Sequence, residues 1–244
     1  MTQPAATILG HLKVVDDERQ RRAAMPALNA RVLALKAYQQ RRFANTYADL
    51  LASTRYGDAA RYFLDELYGP KDFAHRDRQF ARVAPTIVRV FPNEMAETIV
   101  TLADLHALSE TLDTAMGMEL ADARIGAADY IRAWQRVGRA PDRERQIALT
   151  LAIAAELDRL TGLPLLRHSL RLLRMPARAA GLSELQRTLE TGFDTFRAMN
   201  GAQEFIALIG ARERAFAATL FAARPVEAGA DGSMARALAC LPPA

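Results

Sequence analysis

Cysteine is almost missing from this chain: Cys240 is the only one in 244 residues. An internal disulfide is therefore impossible, and so is a zinc site built on cysteines. A single cysteine fits a reducing compartment, and the cytoplasm is the expected location. Long apolar runs are missing too. No stretch nears the roughly eighteen uninterrupted apolar residues of a membrane-spanning helix. No basic segment followed by an apolar run opens the chain, so no signal peptide is expected. Lysine is scarce, since only Lys13, Lys36 and Lys71 occur, and the net charge is just +4. The pI of about 9.5 thus rests on arginine. That modest excess lacks the concentrated patch of a nucleic-acid binder and argues against nucleic acid as a partner.

Strand signals are also sparse. No useful run alternates apolar with polar residues, and no Asn-Gly or Asp-Gly turn separates two strand-like segments. No repeat recurs at solenoid periods. What remains is a chain that is 50% hydrophobic and rich in alanine, leucine and arginine, a composition that favours helix. Its length suffices for a large core.

The periodicity predicts an all-α fold, a single multi-helix bundle of about nine or ten helices with a flexible C-terminal tail. Residues 1–25 read as a loosely attached helical segment, 26–224 as the helical domain, and 225–244 as the tail. Pro26 opens a helix reaching Ser53, with Leu28, Val32, Leu35 and Tyr38 inward and Arg31, Lys36 and Arg41 elsewhere on the wheel. Asp58 is placed to cap the next helix. Gly69 and Pro70 stop that helix, and Asp72 caps the following one over Phe73–Phe91, where Pro85 predicts a kink or break. A long helix from Glu94 to Met118 should bury Met95, Ile99, Leu102, Leu105, Leu112 and Met116 and form the centre of the bundle. Further helices are expected over 122–137, 141–161, 164–175, 183–200 and 202–223.

Chemistry is densest around the Gly69-Pro70 corner. Tyr62, Asp65, Glu66, Tyr68, Asp72, His75, Arg76 and Asp77 all fall within sixteen residues. They could form a ligand pocket at helix ends, or a structural joint locked by arginine–carboxylate pairs. On the long helix, His106, Ser109, Glu110 and Asp113 make a polar strip at i, i+3, i+4 and i+7. A carboxylate one turn from an imidazole is usable acid–base chemistry. It is equally a hydrogen-bonded boundary strip. Arg167, Arg171, Arg174 and Arg178, spaced by 4, 3 and 4, share a helical face with no acid in their segment. They could contact a phosphate, an acidic partner or an anionic membrane, or pair with acids from neighbouring helices.

Motifs for other chemistry do not occur. None of His11, His75, His106 and His168 stands three residues after a glutamate, so a di-iron bundle site and metal binding are not predicted. Phosphate-binding glycine loops and a nucleophile elbow are missing. No cofactor is predicted, although spacing leaves open a single axial histidine for haem.

The stretch Tyr62-Phe63-Leu64-Asp65-Glu66-Leu67-Tyr68-Gly69-Pro70-Lys71-Asp72-Phe73, followed by Arg76-Asp77, resembles the signature of a family of uncharacterised bacterial all-helical proteins. Leu105-His106-Ala107-Leu108-Ser109-Glu110 fits the same resemblance. It implies a bacterial, cytosolic, single-domain protein and transfers no catalytic residue. The expected function is binding, as a homodimeric module or a small-ligand binder. An enzyme using His106 or His75 with nearby carboxylates is the alternative, and an arginine-mediated contact with an anionic membrane or nucleic acid is a third.

Overall fold

The computed structural model describes residues 3–67, 74–90, 93–172, 174–223 and 238–243. Among them are twelve α-helices and no strand. Helix α1 spans Gln3–Ala23 and α2 spans Pro26–Thr46. Pro26 sits in the first turn of α2, where its missing N–H costs nothing. A turn at Tyr47 leads to the short α3, Ala48–Ala52. Helix α4, Gly57–Tyr62, widens into one π turn at Phe63–Leu67. Then come α5 (Ala74–Val90), α6 (Asn93–Glu119), α7 (Ala127–Val137) and α8 (Ala140–Thr161). The chain ends with α9 (Pro164–Leu172), α10 (Arg174–Ala179), α11 (Ser183–Ala198) and α12 (Gln203–Ala222).

Helix α6 is the centre. At 27 residues it is about 40 Å long, and α1, α2, α5, α7 and α8 all pack on it. Its buried side differs from the expected leucine stripe. Ala96, Ala103, Ala107, Leu108, Leu112 and Met116 are buried, whereas Leu102 is exposed and Met95, Ile99 and Leu105 are only half-buried. The alanines let α1 and α5 lie close, so the small face takes the contact that leucines would have kept at a distance. Gly117 serves α2 in the same way. A Cβ there would collide with Val32 and press on Leu28, so the crossing of α2 over α6 requires glycine.

The N-terminal segment is not loosely attached. Ala5, Ile8 and Val15 are buried, and Ile8 joins Ala84, Val88, Ala96 and Ala103 in one apolar cluster. A second cluster packs Tyr47, Leu50, Ala59 and Ala60 against Ala154, Phe196, Met199 and Phe205. The largest gathers Leu35, Tyr38, Met116, Tyr130, Trp134, Phe216 and Leu220, and Leu241 closes it. Of the tail read as flexible, residues 238–243 therefore dock on the bundle: the Tyr38 hydroxyl donates to the Pro242 carbonyl at 3.0 Å, and the Asn45 amide to that of Cys240 at 3.0 Å.

Other local expectations change. Helix α5 continues through Pro85 without a break. Asp58 does not cap α4; it lies in the first turn and accepts from Arg61 at 2.8 Å. The hydroxyl of Ser53 instead accepts the backbone N–H groups of Arg55 and Tyr56. The expected 164–175 helix is helical over Pro164–Leu172 and Arg174–Ala179, past its expected end. Gly69, Pro70 and the Asp72 cap lie outside the described residues.

Candidate functional site

Two of the predicted constellations meet, in a way that neither spacing shows. Asp77, on α5, turns away from the corner cluster and towards α6. Its Oδ2 accepts from His106 Nε2 at 2.8 Å and from Arg19 Nη2 at 2.7 Å. One turn further along α6, Glu110 is 3% exposed and ion-paired on both oxygens. Arg22 Nη2 donates to Oε2 at 2.6 Å, and Lys36 Nζ donates to Oε1 at 2.6 Å. Arg22 spends its other nitrogen on the Thr114 hydroxyl at 2.8 Å. Another turn on, Asp113 accepts from Gln39 at 3.2 Å and lies 3.9 Å from Lys36. The polar strip of α6 is thus the spine of an ionic junction that ties in α1, α2 and α5.

The electrostatics follow from that geometry. Burial pushes the Asp77 carboxyl up, but the hydrogen bond and charge of His106, with the charge of Arg19, outweigh it and hold it at about 2. Burial also opposes ionisation of Glu110, and the charges of Lys36 and Arg22 bring it down to about 2. Asp113 goes the other way. Burial raises it, and the more distant Lys36 offsets only part of that while Glu110 adds to it.

The strip continues onto α8. The Ser109 hydroxyl accepts from Gln146 at 2.8 Å, and Gln146 Oε1 accepts from Arg143 at 3.1 Å. Arg143 is buried, stacks 4.0 Å over the Trp134 ring and donates to the Met116 sulfur at 3.0 Å. A further buried cation, Arg42, is clasped by Glu213, with nitrogen–oxygen distances of 2.6 and 3.1 Å. Tyr47 adds its hydroxyl to that carboxylate at 2.6 Å.

The rest of the corner cluster disperses. The Tyr62 hydroxyl donates to the Thr188 carbonyl at 3.1 Å, its ring lying where a Cβ on Gly192 would be. Asp65 is exposed. His75 is exposed, with Nδ1 3.4 Å from Glu184. Glu66 and Arg76 belong to the π turn and to α5, and their side chains are not described. Tyr68 and Asp72 lie outside the described residues. A depression of about 470 Å³ opens between Arg41, Ala44, Asn45, Pro242 and Pro243, and one of about 320 Å³ lies between α6 and α8. Neither is lined by a residue of the Tyr62–Asp77 group.

The arginine face is partly neutralised. Arg167 makes a two-pronged contact with Asp194 of α11, at 2.7 and 3.0 Å, and Arg174 holds Glu190 with Nε at 2.7 Å. Arg171 and Arg178 are exposed; Arg171 acts on Asp194 through its charge, without an ion pair as close as that of Arg167.

The sequence reading missed Arg19, Arg22, Lys36, Arg42 and Arg143. One signal was available for α1: Ile8, Val15, Arg19 and Arg22 follow one another by 7, 4 and 3 residues, so both arginines share the apolar face. Lys36 and Arg31, placed off the inward face of the helix, reach α6, with Arg31 Nε donating to the Gly117 carbonyl at 2.8 Å.

Residues 18–227 match a family model described as a Domain of unknown function (DUF8198). No curated protein and no solved structure matches the chain.

Proposed function

We propose that this chain, which belongs to the DUF8198 family of domains of unknown function, acts by binding rather than by catalysis, as a cytosolic bacterial interaction protein. The observation that carries this reading is the use to which the acid–base residues are put. Asp77 is engaged by both His106 and Arg19, and Glu110 by both Arg22 and Lys36. A general base needs an open lone pair within reach of a substrate proton. Carboxylates held near 2, each engaged by two side-chain donors, are poor proton acceptors, and their evident work is to fix α1, α2 and α5 to α6. Binding as a homodimeric module or to a small ligand remains for the outer surfaces.

Native mass spectrometry of the freshly purified protein tests the reading. The expected spectrum shows a dimer, a co-purified small molecule, or both. A strictly monomeric, ligand-free spectrum would sink it. The enzyme alternative has one geometric support, the 2.8 Å Asp77–His106 pair, which orients an imidazole as catalytic dyads do. A turnover found by substrate screening and abolished by His106→Gln, in a protein that keeps its fold, would favour that alternative.

A further inference from the structure

Residues 238–243 lie outside the matched stretch 18–227, yet they dock on it. Two side chains of α2 hold their backbone. The Asn45 amide donates to the Cys240 carbonyl and the Tyr38 hydroxyl to the Pro242 carbonyl, each at 3.0 Å. The segment therefore runs antiparallel to α2. Tyr38, Arg41 and Asn45 follow one another by 3 and 4 residues, so they share one face of that helix. Arg41 stands over the Tyr38 ring, 5.7 Å from its centroid. Between the two carbonyls, Leu241 is the anchor. It is 8% exposed and shares the largest apolar cluster with Tyr38, Trp134 of α7 and Leu220 of α12. Pro242 is buried, whereas Ala239 and Pro243 are exposed.

These contacts are those of a bound peptide. The hydrogen bonds go to main-chain carbonyls, which any residue offers, and an apolar side chain in a pocket adds selectivity. An aromatic-lined surface with hydroxyl and amide donors suits segments that contain proline. Proline is already restricted in φ and brings no N–H that must find a partner. The slot is also larger than its occupant. The depression of about 470 Å³ borders the docked prolines, between Pro242 and Pro243 on one side and Arg41, Ala44 and Asn45 of α2 on the other. There is room in it for a bulkier segment.

We propose that this face of α2, with the apolar cluster beside it, is a peptide-binding slot, and that residues 238–243 are its tethered ligand, displaced by a partner protein that offers the same chemistry. The occupant defines that chemistry. The partner brings a leucine for the pocket, carbonyls on the residues before and after it, and proline at the second carbonyl and beyond. A segment joined to the bundle competes at an effective concentration set by the chain between, here residues 224–237, and a free peptide has to exceed it. The slot is thus closed to weak ligands and yields to strong or locally concentrated ones. This goes beyond a homodimer or a small ligand, and either reading can fail without the other.

The full chain tests it, with a synthetic peptide of the sequence of residues 236–244, blocked at both ends and carrying serine for its cysteine. Leu241→Asp should unseat the segment. Trp134 is the one tryptophan of the chain and lies in the cluster that Leu241 closes. Its emission should therefore move to longer wavelength, and acrylamide should quench it more strongly. In titration calorimetry the peptide should bind Leu241→Asp saturably and return the emission to that of wild type. Wild type should bind the peptide at least about tenfold more weakly, because its own segment competes. Adding Asn45→Ala to Leu241→Asp should weaken the peptide about threefold to tenfold, the effect of one hydrogen bond. A peptide with aspartate for its leucine should not bind. Circular dichroism melts check the fold of Leu241→Asp, and if it melts early the milder Leu241→Ala takes its place with the same order of affinities expected. Equal affinity for wild type and the Leu241 variant overturns the proposal, as does no binding to either up to about millimolar peptide. An affinity unchanged when both prolines become alanine overturns the partner chemistry.

Discussion

At the α1–α6 junction, Arg22 is buried and shares Glu110 with Lys36. On the α9–α10 face, Arg174 clasps Glu190 with much of its side chain in water. Both places pair a guanidinium with a carboxylate, Lys36 joining at the junction, and the surroundings make the two contacts unequal. Removing one partner of a buried pair strands the other in a medium that solvates it poorly. Removing one partner of an exposed pair hands the other to water and salt. The junction therefore governs how α1 and α2 sit on α6, whereas the arginine face is available to something outside the fold.

The largest effect expected is at the junction. Glu110→Ala leaves Arg22 and Lys36 facing each other without their carboxylate and should cost about 3–5 kcal/mol, read from urea unfolding. A loss no larger than that of a surface substitution would mean the junction is wet, and the contrast with α9–α10 would collapse.

Acid should weaken the same place. Asp77 and Glu110 are held at about 2 in the folded chain, below the usual 3.8 and 4.5. A depressed carboxyl stabilises the fold above its unfolded pKa, and that contribution is lost as the pH falls from about 4.5 towards 2, on the order of 2–3 kcal/mol for each group. Asp113 opposes them, because its raised carboxyl takes up a proton earlier in the folded state and relieves a cost. Asp113→Asn should therefore steepen the net loss of stability on acidification, and Glu110→Gln should flatten it. Melting curves across the acid range check both signs.

A smaller loss is expected where α2 crosses α6. Gly117→Ala forces a methyl against Val32 and should cost about 1–3 kcal/mol in the same unfolding experiment. The smallest effect belongs to the other region. Arg174→Ala and Arg167→Ala should leave the urea midpoint of the monomer where it is, since both side chains are already solvated. A clear destabilisation there would turn the face from a surface for a partner into a structural clasp on α11.

Legibility in the sequence follows the same divide. The spacing of His106, Ser109, Glu110 and Asp113 placed them on one face of one helix, as they are, because a period of 3.6 is local geometry. Their partners were not legible. His106 was expected to act with Glu110, one turn away, and it bonds instead to Asp77 on α5. Lys36 was set off the inward face of its helix, and nothing in the pattern singled out Arg42 or Arg143. Yet Arg42 lies between the rings of Phe43 and Phe216 and is held by Glu213, 171 residues away. The corner cluster failed in the opposite sense. Tyr62, His75 and Asp77 are close in sequence, yet they meet different neighbours, Thr188, Glu184 and His106.

The sequence by itself determined that this chain is helical and where most helices start and stop. Composition, period and breaker residues act within a few residues of chain, and no contact at a distance is needed to read them. The tertiary structure decided which charges are buried and which stay free. Burial of an arginine depends on whether another helix brings a carboxylate to it, so Arg22 and Arg171 differ only in what the fold places beside them.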